Sequence, residues 1–81
     1  MAARIDDDYM TADHDGRVVA TARYSAHAAA DGQDAWIVSG LPRRLFTRNQ
    51  AITAMVLADR LAAGHGDNDL FVIGWREELG L

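Results

Sequence analysis

Arg43, Arg44 and Arg48 crowd the mouth of one strongly signalled helix. A guanidinium grips phosphate or carboxylate through a rigid fork of donors. The unpaired backbone N–H groups of a helix start add their own attraction for anions. The chemistry this cluster could do is therefore anion or nucleic-acid contact, with solvation or pairing to the acidic N-terminal segment as the structural alternative. Other candidates are thinner. His14, His27 and His65 fall on separate turns or loops. His65 with Asp67 and Asp69 matches neither zinc-ligand spacing nor a calcium loop, so no metal site is expected. Ser25 and Ser39 lack a nucleophile-elbow context, and the glycines occur singly at turns, which gives no phosphate loop. Glu77 and Glu78 are adjacent, so on a helix they point about 100° apart and make a poor acid–base pair. The expectation is a non-enzymatic protein without a cofactor, a metal or an evident small-molecule substrate.

The elements that would position these residues can be read from turn and cap signals. Residues 1–7 read as a flexible N-terminus, and 8–81 as one small domain. Asp15-Gly16 between two extended runs is the preferred two-residue hairpin signal, because both central positions need positive φ. That turn sets His14 against Arg17, Ala12 against Val19 and Asp8 against Arg23. It places Val18, Ala20, Ala22 and Tyr24 on one face. Residues 26–34 read as a loop or a strand end with a second turn at Asp31-Gly32. Residues 35–39 read as a short strand ended by Leu41-Pro42.

Thr47 followed by Gln50 fits a capping box, and Gly64 suits the left-handed stop. The helix between them is apolar around most of its circumference. Asn49, Thr53 and Arg60 form one narrow polar stripe, with Ile52, Met55 and Val56 on one flank and Leu57 and Leu61 on the other. Ala51, Ala54, Ala58 and Ala62 lie opposite. After the turn at residues 64–66, a second helix over about 69–79 is expected, with Asp67 or Asp69 as its cap and Gly80 as its stop; a strand plus one helical turn is the alternative. The fold class is α+β: a three-stranded antiparallel sheet, a long helix and a short C-terminal helix.

Composition narrows the function classes. The chain has 81 residues, no cysteine and a net charge of −4, and all eight of its basic residues are arginine. Disulfides and thiolate metal sites are excluded, and bulk charge does not favour nucleic acid. No run approaches the ~20 apolar residues of a membrane span, and no signal peptide precedes the domain, so the cytoplasm is the expected location. So short a chain is marginal without good packing or a partner. Trp36, Phe46 and Trp75 are the expected core anchors.

Trp36-x-Val38-Ser39, then Pro42-x-Arg44, then residues 48–55 (RNQAITAM), then Trp75-x-x-Glu78-Leu79-Gly80-Leu81 resembles a pattern in small proteins of actinobacteria and their phages. The lysine-free, alanine-rich composition agrees. The resemblance implies origin and fold but no site; a phage-encoded protein would work in the host cytoplasm. A second likeness, at the level of fold, is to HicB-type antitoxin domains. It rests on Asp15-Gly16, the strand at 35–39 and Thr47 to Ala51, though only Leu41-Pro42 remains of the P-D-L-P-G stretch those domains carry.

The expected function is accessory protein–protein contact, with a second copy or a host protein as partner. Self-association is expected through the 47–63 helix or the sheet, using Ala51, Ile52, Met55, Val56, Ala58, Leu61 and Ala62. The alternative is a small nucleic-acid-binding regulator, ribbon-helix-helix-like or HicB-like, that uses Arg43, Arg44 and Arg48.

Overall fold

The Asp15-Gly16 dipeptide does what its type predicts. Asp15 has φ 52° and Gly16 φ 77°, the two positive values a tight hairpin turn demands, and His14 pairs with Arg17 across it. The computed structural model describes residues 2–26, 35–41, 44–66 and 68–81. The Asp31-Gly32 turn, His27, Pro42, Arg43 and Asp67 lie outside the described residues.

Among the described residues the strands are β1 (Ala2–Ile5), β2 (Tyr9–His14), β3 (Arg17–Tyr24) and β4 (Trp36–Val38), followed by helices α1 (Arg48–Ala62) and α2 (Leu70–Leu79). The sheet is antiparallel in the order β1-β2-β3-β4. The α+β class with two helices is as expected, but the sheet has four strands, not three. The extra one is formed by the N-terminal residues read as flexible. Ala2 pairs with Asp13 and Ile5 with Met10, and the Asp6 amide donates to the Tyr9 carbonyl at 2.8 Å to close the turn. Two alanines and an arginine have little strand propensity of their own; the open edge of β2 templates them.

A β-bulge corrects the expected register. Between Ala12 and Asp13 the pairing slips by one, so Ala12 meets Ala20 rather than Val19, and Tyr9 rather than Asp8 meets Arg23. A one-residue slip changes which side chains face the core. Ala20 and Ala22 are buried as expected, while Val18 turns out to 56% exposure and Val19 packs against the core in its place. Tyr24 is exposed at 43%, its ring edge-on to Trp36 at 6.0 Å.

The capping box is present: Thr47 Oγ1 accepts from the Gln50 amide at 3.1 Å, and Gln50 Oε1 accepts from the Thr47 amide at 2.9 Å. Helix α1 lies against all four strands and also against α2, so the nearly all-round apolar helix is covered on two sides. Phe46, Met10, Met55, Leu79 and Val72 are its fully buried large neighbours or members. Phe46 also forms an antiparallel bridge to Trp36 along the outer edge of β4.

Met55→Ala removes a fully buried side chain from this interface and is expected to cost about 2–5 kcal/mol. Val18→Ala, at an exposed strand position, should stay within about 0.5 kcal/mol. Urea denaturation with an unchanged slope checks both.

Candidate functional site

Of the arginine cluster, Arg44 and Arg48 lie among the described residues. Arg48 opens α1 and is exposed. Arg44 reaches across to the other helix: its Nη1 donates to the Gly80 carbonyl at 3.3 Å, and its guanidinium lies 5.2 Å from the centre of the Phe46 ring. A cation at a helix C-terminus meets both an unpaired carbonyl and the negative end of the dipole. Gly80 is in the left-handed conformation at φ 76°, and a Cβ there would lie 3.0 Å from Arg44 Nη2. The positive φ favours glycine at this position, and a larger residue would also push the Arg44 guanidinium aside.

The polar stripe of α1 is where α2 is clamped. Thr53 Oγ1 donates to Glu78 Oε1 at 3.2 Å, and Gln50 Nε2 donates to the Glu78 carbonyl at 3.4 Å. At the other end, Arg60 donates to Asp69 Oδ2 from Nε at 2.9 Å, with Nη2 at 2.8 Å from the same oxygen. His65 Nδ1 lies 2.8 Å from it too. The second oxygen, Oδ1, caps α2 by accepting from the Phe71 and Val72 amides at 2.8 and 3.3 Å. The Arg60 hydrogen bond does most to hold Asp69 at a pKa of about 2, against the opposing effect of burial and with help from the two amides. Arg60 also sits 4.8 Å over the Phe71 ring, which in turn packs on Trp75 at 5.6 Å. Asp69 was legible as a cap, but its pairing with Arg60 across a turn was not.

A third polar grouping lies at the hairpin. His14 Nδ1 is 3.5 Å from Asp59 Oδ1 and its Nε2 is 3.5 Å from Asp15 Oδ2. They border an open depression of about 440 Å³ lined by His14, Asp15, Arg17, Val19 and Ala62. The His14–Asp59 contact links β2 to α1. Among the described residues, no three His, Cys, Asp or Glu side chains converge on a point a metal ion could occupy.

The proposed self-association residues divide by depth. Ala51 and Met55 are at 0% exposure, inside the fold and off any surface. Ile52, Val56 and Ala58 are half-buried, and Leu61 and Ala62 are exposed. Of the anchors, Trp36 and Phe46 lie in the core, and Trp75 is half-buried against it.

Apolar exposure is concentrated on α2 and Leu81, although Val18 on β3 is as exposed as Leu81. Leu70 is 82% exposed, Phe71 59%, Leu81 56% and Ile73 41%. The first, second and fourth of these are on α2, whose other side buries Val72 and Leu79. The signal available in the sequence was the unbroken run from Leu70 to Ile73, too apolar for a helix covered on one side. Among the described residues no helix is long and apolar enough to cross a membrane.

Because the folded pKa of Asp69 is depressed from 3.8 to about 2, its ionised form stabilises the fold above about pH 4. That contribution is lost as pH falls toward 2. Asp69→Asn should flatten the acid limb of the stability curve over that window; an unchanged limb in the variant would refute the assignment. Comparison with protein-family models, curated proteins and solved structures finds no match for this chain.

Proposed function

We propose that this chain is a small non-catalytic domain that acts by protein–protein contact and self-associates. The observation that carries the reading is the apolar outer side of α2 with Leu81 beside it. Ile73 and Leu81 line one depression, and Leu70 stands one helical turn before Ile73 on the same side, so these exposures adjoin one another. Monomeric proteins rarely leave contiguous apolar patches above a few hundred Å² uncovered. The role in keeping with this surface is accessory or regulatory, on a protein of the host if the gene is phage-borne. The nucleic-acid reading is not favoured, because Arg44 is engaged with Gly80 and Phe46.

Sedimentation velocity of the full chain across the micromolar range is expected to show a concentration-dependent shift from monomer to dimer. A single monomeric boundary throughout that range would overturn self-association.

A further inference from the structure

We propose that α2 is a strap over α1 that opens and closes as a unit while the sheet and α1 stay folded. The proposal does not depend on self-association.

What carries it is how little holds α2. Helix α1 lies against all four strands, whereas α2 runs beside α1 alone. Among the described residues, no Cα of α2 comes within 8 Å of a strand Cα. Leu79, with Leu81 just beyond the helix, reaches a groove that Val19 and Val38 also line. The strands are joined by backbone ladders. Among the described residues, no backbone hydrogen bond joins α2 to another element.

Burial follows the same division. Helix α1 buries Ala51, Ala54, Met55 and Leu57. Helix α2 buries Val72 and Leu79, half-buries Trp75, and leaves Leu70, Phe71 and Ile73 exposed. Apolar stabilisation scales with the area removed from water, so undocking α2 costs less than parting α1 from the sheet. The side of α1 that α2 covers carries Gln50, Thr53 and Arg60, bonded to Glu78 and Asp69. Arg44, from the segment before α1, adds its bond to the Gly80 carbonyl. Water takes over such hydrogen bonds on opening, which keeps their net contribution small.

The hinge is Gly64, at φ 96° where the chain leaves α1; glycine gives that point the backbone freedom to swing. Both caps of α2, Asp69 and the left-handed Gly80, belong to its own end of the chain. A ten-residue helix is too short to persist alone in water. Opening therefore melts α2 as it undocks, and its amides exchange together. The sheet keeps its own cover, because α1 stays in place. Val72, Trp75 and Leu79 lose theirs, so the apolar surface offered to a partner grows without global unfolding. A partner that binds this surface selects the open state, and the bonds at Asp69 and Glu78 oppose it.

The test is native-state hydrogen exchange of the full chain, followed by NMR at low urea concentrations. Amides of residues 73–79 should be at least about tenfold less protected than those of β2, β3 and the centre of α1. Their urea dependence should be shallower, because opening exposes less surface than global unfolding. Met10→Ala removes a fully buried side chain from β2. It should speed exchange in β2 and β3 at least about thirtyfold yet leave α2 unchanged, since Met10 stays buried when α2 opens. Equal protection and equal urea slope across α2, α1 and the sheet overturns the proposal. So does an equal acceleration of α2 by Met10→Ala. If that variant does not fold, the urea dependence of the unaltered chain decides alone.

Discussion

The fold is organised by the need to cover α1 on two sides with only 81 residues. A helix with one narrow polar stripe cannot lie on a sheet and leave its far side in water without losing much of the apolar burial that stabilises so small a domain. The sheet takes one side. Helix α2 takes another, fastened at each end of the stripe: Arg60 to Asp69 at one, Thr53 and Gln50 to Glu78 at the other. On α2 itself Val72, between the fastenings, and Leu79, just past Glu78, are fully buried. The few polar atoms on α1 thus fix where α2 sits, and the apolar ones make the contact worthwhile.

This division separates what was legible in the sequence from what was not. Caps and tight turns are local chemistry, and Thr47 with Gln50 and Asp15 with Gly16 could be placed from residue type alone, whereas the cap of α2 was open between Asp67 and Asp69. Helix α1 could be read for the same reason. The first strand was not legible, because only Ile5 in Ala2–Ile5 favours extension, and the pairing comes from the edge of β2. The bulge at Ala12 and Asp13 was hidden as well: alternation predicts faces only while register is constant, and one slipped residue exchanged Val18 for Val19.

The candidate site was less legible than the fold. For Arg44 the sequence offered an anion, solvent or the acidic N-terminal segment as partner, but it finds its partner at Gly80, thirty-six positions away. Arg60 meets Asp69 nine positions on, around a turn. Contacts of that kind are set by how the helices cross, which no local pattern encodes. The surplus of apolar residues on α2, by contrast, was visible as composition; what the sequence could not show was which of them remain uncovered. Exposed apolar surface is therefore concentrated on α2, while Arg44 is engaged within the fold.

The chain-order sheet has a kinetic consequence. Each strand pairs with its neighbour in sequence, and α2 folds back on the helix just before it. The strand pairings and the helix pairing therefore close short loops, and the long-range closure that remains is the docking of α1 onto the sheet. Folding rates of single domains rise as mean contact separation falls. Helix α1 comes after all four strands in the chain. During synthesis its template can be assembled before it emerges, which shortens the interval in which its apolar faces are open to other chains.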